Sequence, residues 1–280
     1  MLVNYLQSIL EQKPEVFEQK FGHSNPLALF NDNYQAPFSI HNICKEIINI
    51  GGHEGERATV TQLAFAIQNL LDPYKLPVYV CRNSTLVIDE IVQMIEGNHF
   101  VLCLAPLLCG YKKFDTKCFD FIAFSLGLKN GLGFIGGVKR KSFYYVGFSS
   151  THFFYFDPHT TKKKVTNENQ YKTYYEPELK SIKIENISSS LMIAFYFTDI
   201  DQFMETIQVM RQLPFLPLSI MEHFDQSLLH DEINIDDNSF AEESIETDES
   251  SSASCAFGDP DDFEIISKEE LLSELSNGHP

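Results

Sequence analysis

Residues 153–161 read Phe-Phe-Tyr-Phe-Asp-Pro-His-Thr-Thr, an aromatic run that ends in a carboxylate and an imidazole two positions apart. Residues i and i+2 of an extended strand lie on the same face, and Pro158 cannot donate to a strand ladder. We therefore predict a strand that ends before Pro158, with Asp157 and His159 side by side. A carboxylate that orients an imidazole is the base half of a nucleophilic triad. The alternative is an ordinary Asp-Pro turn with an exposed His.

Hydrophobic periodicity predicts an α/β (α+β) fold with one sizeable core. A G-x-G-x-x-G pattern at residues 131–136 imitates the dinucleotide-binding motif, but it follows a predicted helix and enters a predicted strand. That order is the reverse of the one the motif needs, which excludes a nucleotide site. The predicted helices are residues 2–21, 42–50, 59–71, 85–96, 119–128 and 201–213, and the predicted strands are residues 77–82, 99–106, 133–135, 142–149, 151–156 and 191–197.

Three elements occur in an order that resembles the autophagins, the autophagy-related cysteine peptidases with a papain-like fold. Weaker matches extend the resemblance over about residues 27 to 212. The three elements are Leu132-Gly133-Phe134-Ile135-Gly136-Gly137, Tyr144-Tyr145-Val146-Gly147-Phe148 and Phe156-Asp157-Pro158-His159-Thr160-Thr161.

The resemblance implies a function and a set of site residues. Such a peptidase processes the C-terminus of a ubiquitin-like autophagy modifier, and delipidates it, when a Cys thiolate attacks the carbonyl that follows a glycine. His159 would act as base and then as acid, and Asp157 would hold its tautomer. Gly136 and Gly137 would lie where the substrate tail approaches. The resemblance implies no cofactor.

The sequence departs from the family at the nucleophile. The family nucleophile is a Cys in a Gly-Trp-Gly-Cys motif that opens a buried helix, upstream of the segment matching Leu29-Phe30. This sequence contains no Trp and no Gly-x-Gly-Cys, so we expect a papain-like fold that is incomplete at its N-terminus. The helices predicted at residues 42–50 and 59–71 would then keep uncovered apolar surface.

The absent nucleophile keeps other interpretations open. The main alternative is an inactive pseudo-peptidase or isoform that binds the modifier without cleaving it, and a third is an unrelated α/β domain. Cys44 follows His41 by one helical turn but does not match the family context, so we interpret it as a buried or half-buried spectator. No Cys-x-x-Cys and no zinc-like Cys/His spacing occurs, which predicts no metal site. The six cysteines indicate reduced thiols in a cytoplasmic protein.

Charge divides the chain into two parts. The net charge is −18, and residues 212–280 carry 18 Asp and Glu against one Lys, a net charge of −17. We therefore predict a peptidase-like domain at residues 1–215 and an acidic, mostly disordered tail at residues 216–280, called the acidic tail below. The charge excludes nucleic acid as a partner. The sequence shows neither a signal peptide nor an apolar run long enough to span a membrane.

The acidic tail contains Asp261-Asp262-Phe263-Glu264-Ile265-Ile266, an aromatic residue and an aliphatic residue three positions apart behind acids. Such a segment can add as a strand to a sheet edge, with Phe263 and Ile266 filling two pockets. It resembles the motif by which autophagins bind the modifier. The alternative is a short helix over residues 263–275 that docks on the body.

Overall fold

A mixed β-sheet with helices on both faces organises the protein. We describe it from a computed structural model, which covers residues 1–111, 113–138, 141–159, 163, 165, 168–174, 178–223 and 264–265. The helices are α1 (Leu2–Gln12), α2 (Pro14–Phe21), α3 (Ile40–Asn49), α4 (Val60–Leu71), α5 (Ile88–Asn98), α6 (Phe119–Gly127) and α7 (Ile200–Met210). Short 3-10 turns lie at Pro26–Phe30, Asp72–Tyr74, Thr116–Cys118, Glu168–Tyr174 and Ile184–Asn186.

The strands form one large sheet and one small one. They are β1 (Val78–Val80), β2 (Thr85–Val87), β3 (Val101–Leu108), β4 (Gly131–Val138), β5 (Lys141–Phe148), β6 (His152–Phe156), β7 (Leu179–Lys183), β8 (Ser190–Phe197), β9 (Ser219–Met221) and β10 (Glu264–Ile265). The large sheet has the order β1-β3-β8-β4-β5-β6-β7-β10, and only β1 and β3 in it run parallel. β2 and β9 pair parallel. The α/β class predicted from the sequence is confirmed.

Strand β3 divides the core into two clusters. Cys103, Ala105 and Leu107 belong to one cluster, whereas Leu102 and Leu104 belong to the other. Alternate residues of a strand point to opposite faces, so the two clusters lie on opposite faces of the sheet. The first includes residues of α5, α6 and α7, and the second includes residues of α1, α2 and α4.

α4 buries apolar surface that we expected to find open. Its Ala64, Ile67 and Leu71 are buried, in a cluster that also contains Leu2, Tyr5, Leu6 and Ile9 of α1. The expectation of uncovered surface is therefore wrong for the helix at residues 59–71.

α3, in contrast, has no fully buried residue. Ile40 and Ile48 are large apolar side chains that it leaves exposed. The expectation of uncovered surface therefore holds for the helix predicted at residues 42–50.

Two stretches differ from the sequence prediction because of distant partners. Residues 85–87 form β2 instead of the first turn of a helix, since they pair with β9. β9 lies beyond residue 215, where we placed the end of the body, and Leu218 just before it is buried. Of the acidic tail, residues 224–263 and 266–280 lie outside the described residues. None of the helices in the described part of the chain is long and apolar enough to cross a membrane.

Candidate functional site

β6 delivers the carboxylate–imidazole pair to its place. The strand ends at Phe156, directly before Asp157 and Pro158, which confirms the predicted strand end. The His159 side chain lies against Asp157, with 2.8 Å between Nδ1 and Oδ1. The same carboxylate oxygen also accepts the backbone N–H of His159 at 2.9 Å. The pair is thus held by a turn closed on the Asp side chain, so the turn alternative and the paired-residue prediction describe the same geometry.

The strand behind the pair is rigidly packed. Phe153, Phe154 and Tyr155 are all buried. β6 is hydrogen-bonded to β5 on one side and to β7 on the other. Large aromatic side chains packed on both faces leave little room for the strand to shift. The aromatic run in the sequence therefore fixes the position from which Asp157 projects.

Asp157 is held in its ionised form. Its side chain is only 15% exposed, and Lys180 Nζ lies 3.6 Å from Oδ2. Burial alone would raise the pKa of this carboxyl, but the two hydrogen bonds from His159 and the charge of Lys180 outweigh it and lower the pKa below its usual value. Lys180 comes from β7, which the sequence prediction missed. Lys180 lies outside every predicted helix and strand, so no local pattern indicated that it would reach this carboxyl.

The orientation of the His159 ring leaves one nitrogen available. A carboxylate only accepts hydrogen bonds, so Nδ1 carries the proton in this contact and Nε2 can take one. Phe143 meets the ring edge-on, with 5.9 Å between ring centroids and an interplanar angle of 88°. The His159 side chain is 44% exposed. The pair therefore presents an oriented base to a group that approaches from outside.

The two candidate glycines lie near the C-terminal end of β4. Gly136 pairs with Phe143, the residue whose ring meets His159, and Gly137 pairs with Ser142. The positive backbone angle in this strand lies earlier, at Gly133, where φ is +76° and a Cβ would lie 2.4 Å from the Tyr145 carbonyl oxygen. Gly136 and Gly137 are thus part of an extended strand, and β5 separates that strand from β6, which leads to Asp157 and His159.

The first turn of α1 lies beside the same end of β6. Asn4 Nδ2 donates to Tyr144 Oη at 3.2 Å, and Tyr144 is the β5 partner of Phe156. Tyr144 Oη in turn donates to the Leu132 carbonyl at 2.7 Å. The start of α1 is thereby tied to β5, the neighbour of the strand that leads to Asp157.

A second histidine–carboxylate pair, which the sequence analysis did not identify, lies at the start of α3. His41 Nε2 is 2.9 Å from Asp32 Oδ1, and the exposed Tyr34 ring stacks on His41 at 4.5 Å. Cys44 follows on the same helix and is exposed. Our interpretation of Cys44 as buried or half-buried is wrong, because α3 packs only loosely on the body.

Two of the other described cysteines, Cys81 and Cys103, are unsuited to nucleophilic attack. Cys81, Cys103, Cys109 and Cys118 are all buried free thiols. Burial raises the pKa of Cys81 to about 12 and raises that of Cys103 further. The thiolate is the reactive form of cysteine, and these two thiols do not reach it near neutral pH. Within the described ranges, no group of three His, Cys, Asp or Glu side chains could hold a metal ion.

The proposed binding motif of the acidic tail is described only at its centre. Residues 264–265 are extended and add to β7 as β10, which favours the strand over the alternative of a helix at 263–275. Phe263 and Ile266, the two predicted anchors, lie outside the described residues, as do Thr160 and Thr161.

Comparison with known proteins gives a consistent result. Residues 2–209 match the sequence family of the Peptidase C54 catalytic domain. The chain is similar to the "Cysteine protease ATG4" of Candida albicans, with 30% identity over 191 residues that make up 63% of this chain and 43% of that protein. It is similar to the "Cysteine protease atg4" of Emericella nidulans, with 28% identity over 193 residues, 63% of this chain and 48% of that protein. The chain spans about half the length of the curated relatives it matches.

Proposed function

The chain belongs to the Peptidase C54 family, as the autophagin resemblance predicted, and from that membership we propose that it serves the processing and delipidation of a ubiquitin-like autophagy modifier. Asp157 and His159 are the acid–base part of the site. The observation that carries this proposal is the contact between Asp157 Oδ1 and His159 Nδ1 at 2.8 Å, which leaves Nε2 free to exchange a proton. A cytoplasmic location agrees with the five free thiols among the described residues.

The proposed chemistry uses each member of the pair in turn. His159 Nε2 removes the proton from a cysteine thiol, and the thiolate attacks the carbonyl carbon of the modifier's glycine. His159 returns the proton to the departing amine, which is a peptide or a lipid headgroup. Water, activated by the same imidazole, then hydrolyses the thioester. Asp157 stabilises the imidazolium that forms at each step.

The start of α1 is the proposed place of the nucleophile. The family's cysteine opens a buried helix. α1 buries one face, and its first turn is tied through Asn4 and Tyr144 to β5, the neighbour of the strand that leads to Asp157. This placement of helix and sheet supports a papain-like arrangement. Gly136 and Gly137 in β4 are the proposed path of the substrate tail, where the absence of side chains permits close backbone approach.

A second candidate function follows from the missing nucleophile motif. The 280 residues contain no Gly-x-Gly-Cys. The 280-residue polypeptide by itself would therefore bind the modifier without cleaving it. The members of a catalytic triad act as a unit, so Asp157 and His159 without a nucleophile should give little peptidase activity.

The test compares three polypeptides on a modifier precursor. The first is the 280-residue chain, the second carries Gly-Trp-Gly-Cys directly in front of Met1, and the third carries Gly-Trp-Gly-Ser there. We expect cleavage only by the second, measured as release of the C-terminal peptide. The serine extension is the matched control, because it preserves length and packing and removes the thiol.

Two outcomes would contradict the proposal. If the 280-residue chain cleaves the precursor, and Cys44→Ala abolishes cleavage whereas His159→Ala does not, the site is at α3. If the cysteine extension stays inactive although it binds the modifier, the start of α1 is not the nucleophile's place and the binding function stands.

A further inference from the structure

β7 pairs with β6 along one edge, and its outer edge is open to a further strand. It pairs with β6 along its whole length, from Leu179 opposite Phe156 to Lys183 opposite His152. On its other side it pairs antiparallel with β10, where Ser181 is opposite Glu264 and Lys180 is opposite Ile265. An exposed edge presents backbone N–H and C=O groups that accept a further strand. The occupant of this edge is a segment of the chain's own acidic tail.

The occupied part of the edge includes a residue whose side chain reaches the candidate site. Lys180 is paired with Tyr155 of β6 on one side and with Ile265 on the other. Its Nζ lies 3.6 Å from Asp157 Oδ2 and 3.9 Å from Glu178 Oε2. The tail thus joins the sheet at the residue whose side chain reaches the catalytic pair.

Charge and connectivity both favour this pairing. β7 carries Lys180 and Lys183, whereas the tail near β10 carries Asp259, Asp261, Asp262 and Glu264. Opposite charges at the surface attract, and salt screens the attraction over about 10 Å. Because both strands belong to one chain, the encounter is intramolecular, with an effective concentration on the order of millimolar.

The pairing is also weak enough to reverse. β10 has two residues, and strands in globular proteins usually have about five. A two-residue addition to an edge forms few hydrogen bonds, each of which contributes about 1 kcal/mol net. Such a strand exchanges between bound and released states.

We propose that the outer edge of β7 is a docking surface for the acidic tail of this same chain, and that a protein partner which recruits residues around 264–265 as a strand must first release them from β7. The second half of this inference rests on the proposed function.

Backbone hydrogen exchange tests the docking without any partner. The amides of residues 179–183 are compared in the 280-residue chain, in Ile265→Pro and in Ile235→Pro. Proline cannot donate to a ladder, so Ile265→Pro should make exchange in β7 several times faster. Ile235→Pro makes the same substitution elsewhere in the tail and should change nothing. Residues 152–156 of β6 report that the body stays folded, and their exchange should be equal in all three.

A second arm adds the unlipidated ubiquitin-like modifier to the 280-residue chain. Binding should accelerate β7 exchange to the rate of Ile265→Pro. Equal β7 exchange in all three chains overturns the docking surface. Binding of the modifier with β7 still protected overturns the release step. Failure of the modifier to bind at all contradicts the proposed function and leaves the docking surface, measured by exchange alone, in place.

Discussion

Two histidines of this protein hold a carboxylate at almost the same distance, and their surroundings differ. His159 uses Nδ1 to contact Asp157, whereas His41 uses Nε2 to contact Asp32. Asp157 is 15% exposed and belongs to a turn at the end of a buried strand. Asp32 is 40% exposed and belongs to the segment before α3. Asp157 is thus less exposed than Asp32, whereas the His159 side chain, at 44%, is more exposed than that of His41, at 34%. The Asp32–His41 pair is called the α3 pair below.

The difference shows that a short His–carboxylate distance does not by itself make a base. Contact through Nδ1 directs Nε2, the nitrogen at the tip of the ring, away from the chain. Contact through Nε2 leaves Nδ1, which lies close to the backbone. Lys180 and the backbone N–H of His159 also hold Asp157 ionised. The orientation of the ring distinguishes the catalytic candidate from the α3 pair.

The largest expected contrast is in cleavage by the chain that carries Gly-Trp-Gly-Cys in front of Met1. His159→Ala should lower the rate of precursor cleavage by about 10²- to 10⁴-fold, since it removes the general base. His41→Ala should leave the rate unchanged. The measurement is the single-turnover rate of peptide release. An equal loss in both variants would remove the distinction between the two pairs.

A smaller contrast is expected in stability, at the aromatic ring that touches each histidine. Phe143 is buried and packs on Tyr155 with 4.5 Å between ring centroids, so Phe143→Ala should reduce the free energy of unfolding by about 3–5 kcal/mol. Tyr34 is exposed, and Tyr34→Ala should change it by no more than about 0.5 kcal/mol. Urea unfolding of the 280-residue chain measures both values. A similar loss of stability in Tyr34→Ala would mean that the α3 pair is part of the packed core.

The smallest expected effect is on acid stability. The pKa of Asp157 is lowered in the folded state, so its ionised form stabilises the fold above the ordinary value of about 4. That stabilisation is lost as the pH falls through the lower folded value. Lys180→Met should move the Asp157 pKa upward, towards its usual range, as measured by NMR titration of the carboxyl carbon.

Lys183→Met provides the control for that titration. It removes the same charge from the other end of β7, opposite His152, and should leave the Asp157 pKa in place. A shift of equal size in both variants would show that general surface charge, and not the 3.6 Å contact of Lys180, sets the pKa.

The sequence by itself determined the elements that depend on neighbouring residues. Pro158 cannot continue a ladder, so the end of β6 at Phe156 followed from one residue. The two-residue spacing of Asp157 and His159 sufficed to bring their side chains together. Thr59 and Gln62 form a capping box at the start of α4, near the predicted first residue of that helix. The autophagin motifs sufficed to predict the family.

Only the tertiary structure decided the features that depend on residues far apart in the chain. Residues 85–87 became a strand because residues 219–221 lie beside them. α1 and α4 contribute to one cluster of the core, and Lys180 reaches Asp157 from a strand that no local pattern indicated. The tail adds to β7 from residues 264–265. Strand pairing and burial depend on contacts between segments that are far apart in the sequence. The periodicity of one segment therefore does not indicate which other segment it will pack against.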